Sequence, residues 1–238
     1  MAARLESAAS NPVLGLLLKT GVVALGAYFL RRTGVELGTL FLFLFLYWIV
    51  YLRPAFNNRK FLVSALGLWA LPIFVPPAGQ VLEWLLLLLW ALGFFLLLGV
   101  KNLILLRRQG SYEFIHLFVV FGLGVLYFSG FIPLIPQIIL FLVFFLLFRE
   151  FYFILAPYYP QRLTLAAVVE SFLLVEIAWL LSFLPINFLA GAAFLTLIIF
   201  IFHDLMLHYL TGTLSRQIIL RNTTLFIVLS IILAILPK

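Results

Sequence analysis

Near the end of a long apolar run, the stretch Phe202-His203-Asp204-Leu205-Met206-Leu207-His208 places ionisable side chains where a membrane helix ordinarily carries none. Neighbouring apolar runs answer with Arg149 and Glu150, with Glu170 and Glu176, and with Arg221. These residue types exchange protons, bind cations or hold anions. Imidazole titrates nearest neutrality, carboxylates accept protons or cations, and the guanidinium fork recognises carboxylate and phosphate. The balance is uneven. Arg149 and Arg221 face Glu150, Glu170, Glu176 and Asp204, so two fixed cations meet four acids. Either an acid stays protonated, or a histidine is charged, or a cation binds. A proton or a cation is therefore the expected ligand.

Helical spacing sorts these groups. Asp204 and His208 are four apart and share a face, whereas His203 points about 100° away from Asp204. His203 and His208 diverge by about 140°, a poor arrangement for chelating one ion from one helix. A metal would have to bridge helices, and His203, Asp204, His208 and Glu170 are the weak candidates; no metal or cofactor is expected. The HDxxxH pattern is not the HExxH of zinc proteases. Adjacent glutamates, a GxSG nucleophile site and a deep lysine in a late span are also lacking, which argues against two kinds of intramembrane protease and a retinal protein. The plainer alternative is that Arg149 pairs with Glu170 or Asp204 and only fixes helix register.

The elements that carry these groups follow from composition. Of 238 residues, 66% are hydrophobic and 10% charged. Soluble domains are nearer half apolar and a quarter charged, so lipid must be the solvent for most of this surface. Continuous apolar runs such as 81–100 exclude the alternating pattern of a barrel and leave helices. At about 20 residues per span, the chain reads as one integral membrane domain with candidate spans 13–30, 37–52, 61–77, 81–100, 115–133, 137–156, 164–185, 187–209 and 218–236. An interfacial first helix, carrying Lys19, followed by eight spans is the alternative.

The basic residues set orientation. Arg53, Arg59 and Lys60, then Lys101, Arg107 and Arg108, then Arg162, then Arg216 follow alternate spans; the turns between them are rich in proline and hold no basic residue. The positive-inside rule then puts the N-terminus in the cytoplasm, with Arg31-Arg32 as the exception. The formal net charge of +7 is thus a matter of topology and lipid headgroups, not of nucleic acid. No cysteine is present, so disulfide and thiolate chemistry are excluded. The N-terminal stretch 1–12 is expected to be retained rather than cleaved as a signal peptide.

In this frame Arg149, Glu150, Glu170, His203, Asp204 and Arg221 share a layer roughly 5–11 Å below the inner surface, with Glu176 deeper. Tyr47, Trp48 and Tyr51, and Tyr152, Tyr158 and Tyr159, read as aromatic belts, and His116 as a headgroup-level residue. Gly122, Gly124 and Gly130, and Gly191 with Ala192 and Ala193, would let helices approach closely.

The expectation is an all-α polytopic bundle of eight or nine spans, built from consecutive hairpins, in the plasma or inner membrane. Its leading function is a small transporter or lipid/solute-handling protein with a polar pocket between the last four spans. A membrane enzyme using Asp204, His203 and His208 on a lipid-linked substrate, and a structural or assembly subunit, are the alternatives; enzyme status is left open. Membrane lipids, a second copy or another membrane protein are the partner classes.

Overall fold

The computed structural model describes residues 12–34, 36–53, 58–74, 80–102, 108–130, 137–156 and 160–235. Among them the chain is helical throughout. The helices are α1 (Pro12–Thr33), α2 (Leu37–Leu52), α3 (Leu62–Phe74, entered by a 3-10 turn at Asn58–Phe61), α4 (Gln80–Lys101), α5 (Arg108–Phe128), α6 (Gln137–Leu155), α7 (Pro160–Ser182), α8 (Phe188–Leu210) and α9 (Arg216–Ile235). Each matches one expected segment. Within α1, α4, α5, α6, α7 and α8, six stretches are long and apolar enough to cross a membrane. Two of the remaining helices are shorter over the described residues. α3 has 13 residues, about 20 Å of helix against a hydrocarbon core of about 30 Å. α2 has 16 residues.

The chain divides into two compact units, residues 1–115 and 116–238, and the division falls inside α5. In the first unit, α1 packs on α2, α3 and α4, and α3 on α4. Phe43, Tyr47 and Tyr51 recur every fourth residue of α2 and bury one stripe. Gly26 of α1 admits the Phe43 and Leu46 side chains; a Cβ there would lie 3.3 Å from Leu46 Cδ1. The expected inner belt is therefore not a belt at Tyr47 and Tyr51, both fully buried. Tyr47 Oη donates to the Ala65 carbonyl at 2.6 Å, and Lys101, also fully buried, donates its Nζ to the Tyr51 carbonyl. Tyr158 and Tyr159 lie outside the described residues, as do the proline turns at 75–79 and 131–136.

Pro72, inside α3, has no N–H, so the Leu68 carbonyl one turn back loses its helical donor. The Trp90 indole N–H of α4 supplies one at 2.7 Å. A buried carbonyl is thus satisfied across helices where the sequence had removed its local partner.

In the second unit, α6 packs on α7, α7 on α8 and α8 on α9. α6 buries Leu140, Phe144, Leu147, Phe148, Phe151 and Tyr152, a continuous stripe at helical period. Gly124 of α5 lies against Ala192 of α8, where a Cβ would meet backbone at 3.1 Å, and Gly191 lies under the Phe128 ring at the same distance. The expected close approach of these two helices is present. Asn187 caps α8, its Oδ1 accepting from Ala190 N at 2.7 Å. α8 ends at Gly212, whose φ of 70° suits a residue without a Cβ. There Thr213 N donates to the His208 carbonyl at 2.9 Å and Gly212 N to the Tyr209 carbonyl at 3.2 Å. This Schellman closure turns the chain back so that α9 runs along α8.

The Pro72–Trp90 relation makes a double-mutant prediction. Trp90→Phe leaves the Leu68 carbonyl buried without its donor and should lower stability by about 1–3 kcal/mol. In a Pro72→Ala background the helix regains its own N–H, so the same substitution should be less damaging by about 1 kcal/mol. Thermal melts of the four proteins in detergent measure the difference; equal penalties in both backgrounds would exclude the compensation.

Candidate functional site

α8 places two adjacent residues on different faces. His203 turns inward and is 3% exposed; Asp204 turns toward α9. The inward face meets α7, whose buried stripe runs through Leu163, Ala167, Glu170, Leu174 and Ala178. Glu170 interrupts this apolar stripe at 3% exposure. Its Oε1 lies 2.5 Å from His203 Nδ1, and its Oε2 accepts from the Tyr152 hydroxyl of α6. The other imidazole nitrogen, His203 Nε2, lies 3.0 Å from His116 Nε2 of α5. Tyr152 and His116 are both fully buried. The result is a row of four groups from four helices: His116, His203, Glu170, Tyr152.

Apolar rings enclose the row. Phe151 sits 4.2 Å from the His203 ring and 4.5 Å from the His116 ring, centroid to centroid. Phe148 contacts His203 edge-on at 4.8 Å. In such surroundings a carboxylate is tolerated only when donors face it. Glu170 has two, a phenol and an imidazole. Ser171 beside it turns its hydroxyl back to the Ala167 carbonyl at 2.5 Å.

Tautomer chemistry limits what the row can do. When His203 is neutral and donates from Nδ1 to Glu170, its Nε2 must accept, so His116 Nε2 donates. When His203 is an imidazolium, both its nitrogens donate and His116 Nε2 accepts. Passing a proton from an imidazolium at His116, which keeps its Nδ1 proton, to neutral His203 switches one arrangement into the other, with no heavy atom displaced. Each member of the row can take up and release a proton, which is what a relay requires.

The outward face of α8 carries a second cluster. Asp204 Oδ2 accepts from Arg221 Nη2 at 2.7 Å and from Asn222 Nδ2 at 2.6 Å, both on α9. His208 Nε2 stands 3.7 Å from Asp204 Oδ1, as their shared face required. His208 Nδ1 lies 2.8 Å from Thr213 Oγ1. This cluster is open: the Arg221 side chain is 56% exposed and that of Asp204 26%.

The sequence-expected residues therefore separate. Glu170 and His203 meet in the buried row; Asp204, His208 and Arg221 meet on the outward face. Arg149 and Glu176 are exposed, on α6 and α7, and Glu150 is half-buried. The guanidinium of Arg149 lies over the Phe153 ring at 5.6 Å. The alternative pairing of Arg149 with Glu170 or Asp204 does not form, because His203 and Tyr152 occupy the first and Arg221 and Asn222 the second. Among the described residues no three His, Asp or Glu side chains are placed to hold a metal ion. The four weak ligand candidates split in the same way, two to each side of α8.

Sequence reading assigned His116 to the headgroup level and Tyr152 to an aromatic belt; both are corrected by their burial in the row. A signal for His116 was present. His116, Val120 and Gly124 lie four apart on one face of α5, and Gly124 is where α8 comes closest. Tyr152 likewise closes the buried stripe of α6.

The two clusters should respond differently to truncation. Tyr152→Phe removes a donor from a buried carboxylate and should lower stability by about 1.5–3 kcal/mol. Asp204→Asn breaks a partly exposed pair and should lower it by about 1 kcal/mol or less, with the difference shrinking in high salt. Detergent melts at low and high ionic strength give both numbers, and the reverse ranking would show that the open cluster holds the unit together. Comparison of the chain with models of known protein families, with curated proteins and with solved structures finds no match.

Proposed function

We propose that this chain is a multi-pass membrane protein that moves protons through its second helical unit, as a small proton-coupled transporter of a solute or lipid. The observation that carries this reading is the unbroken row His116–His203–Glu170–Tyr152, in which every member exchanges protons and apolar rings hold it away from its surroundings. Intramembrane ionisable groups are expensive and concentrate along proton and ion pathways. Glu170 is the proton acceptor at the centre, His203 the group that switches, and His116 and Tyr152 the two ends. Asp204, with Arg221 and Asn222, joins α9 to α8 beside it.

The reading extends to topology. Eight or nine of the helices cross the plasma or inner membrane, with the N-terminus in the cytoplasm. The basic residues after alternate helices support this. Arg31-Arg32 stays the exception, with Arg31 paired to Glu83 at 3.2 Å. The enzyme reading draws less support, since Asp204 and His208 lie on a different face from His203. A purely structural role has one observation in its favour: Glu170 is already satisfied by two donors, as interhelical glue would be.

The test is proton flux. In liposomes holding a pH-sensitive dye, with the membrane potential clamped, the protein should dissipate an imposed pH gradient faster than empty vesicles. Glu170→Gln and His203→Gln should each slow this about tenfold or more, and Asp204→Asn should leave it within about twofold. Wild-type flux in Glu170→Gln would remove the row from the mechanism. No flux in any variant, with Glu170→Gln merely less stable, would replace the transporter reading by the structural one.

A further inference from the structure

The first unit holds a cleft of about 140 Å³, lined by Tyr28, Arg31, Arg32, Glu83, Trp84 and Leu87. It forms where α1 ends and α4 begins. The Arg31 Nη2 donates to Glu83 Oε1 at 3.2 Å, and Nη1 reaches the Pro72 carbonyl at 3.4 Å. The Tyr28 and Trp84 rings stack beside them, 5.0 Å apart and 22° from parallel. Part of this is helix chemistry: cations suit the carboxyl end of α1, and an acid suits the first turn of α4. That accounts for the ion pair but not for the cleft. A second cation, Arg32, stands exposed on its rim. One carboxylate against two guanidinium groups leaves an excess of one positive charge, while the carboxylate and the ring faces remain to receive a cation.

We infer that this cleft binds the zwitterionic headgroup of a membrane phospholipid, a phosphodiester joined to an ammonium group. Arg31 and Arg32 take the phosphate, which a guanidinium fork matches in geometry and charge. The ammonium group sits against Glu83, whose Oε2 holds no hydrogen bond among the described residues, and over the Trp84 face, 48% exposed at this residue. An anionic headgroup would satisfy the arginines alone but would leave Glu83 repelling it, so the carboxylate is the selective element. The acyl chains have a track as well. Leu25 and Phe29 on α1 are exposed by 59% and 52%, and Leu85 and Leu88 on α4 by 53% and 66%. Stacked Tyr and Trp beside cations are the groups that settle at headgroup depth. This inference rests on the membrane reading of the chain and is independent of the proton relay, which lies in the other unit.

Native mass spectrometry of the full chain, delipidated in detergent, tests it with phosphatidylcholine, phosphatidylethanolamine and phosphatidylglycerol of identical acyl chains. The two zwitterionic lipids should be retained at least about threefold better than phosphatidylglycerol. Glu83→Gln should abolish that preference, and Arg32→Gln should weaken retention of all three lipids. Trp84→Leu should weaken the zwitterionic lipids selectively and keeps the test open should Glu83→Gln not fold. Equal retention of phosphatidylglycerol in the wild type, or a preference unchanged in both Glu83→Gln and Trp84→Leu, would overturn the inference. Displacement of phosphatidylcholine by an equal concentration of free phosphocholine would assign the cleft to a soluble ligand and overturn the lipid assignment.

Discussion

The second unit depends on one carboxyl group that cannot be left alone. Glu170 sits in the middle of the buried stripe of α7, among residues chosen for apolar contact. An isolated carboxylate there would be strongly unfavourable, and breaking a buried pair by removing one partner typically costs about 3–5 kcal/mol. The donors that face it come from α6 and α8, so those helices are held at fixed rotation about their axes by hydrogen bonds with strict geometry. α5 is held in turn, through His116 and His203. The approach that makes the last contact possible is steric: Gly124 lets α5 lie against Ala192, and Gly191 makes room for Phe128. Small residues at one place and polar groups at another thus specify the same helix packing.

α8 is the shared wall of two environments. Because successive residues turn by about 100°, His203 and Asp204 serve different neighbours without competing. The Asn187 cap and the Gly212 turn fix where this helix starts and stops, and so set the register in which Asp204 meets Arg221 and Asn222. The same division explains why the number of acids exceeds the number of arginines without contradiction. Glu170 is matched by a phenol and an imidazole rather than by a guanidinium. Asn222 is 1% exposed and supplies its amide to Asp204.

Much of this was legible in the sequence. Among the described residues the helices follow the apolar runs, and within the expected set of ionisable groups Glu170 meets His203 and Asp204 meets Arg221, in two separate clusters. Depth along a helix is readable because the rise per residue is constant. Rotation between helices is not, because it depends on which stripe each neighbour buries. That is why Arg149, at the right depth, faces outward and takes no part. Tyr152 was misplaced because near the end of a helix a polar residue reads as interfacial whichever way it points, and His116 because the expected span began at 115 whereas α5 begins at Arg108 and carries His116 two turns inside.

Three buried donors of the first unit end on backbone, although the Ser64 and Tyr112 hydroxyls there meet one another at 3.3 Å. Tyr47, Trp90 and Lys101 donate to backbone carbonyls of Ala65, Leu68 and Tyr51. A carbonyl accepts and cannot pass a proton on, so each of these bonds is a terminus. Such bonds do all that structure asks: they replace missing helical donors and lock neighbouring helices. In the second unit the donors are aimed at one another, imidazole to imidazole, imidazole to carboxylate, phenol to carboxylate. Every junction there can be crossed by a proton. The row also locks α5, α6, α7 and α8 together, and it does so through junctions that a proton can cross.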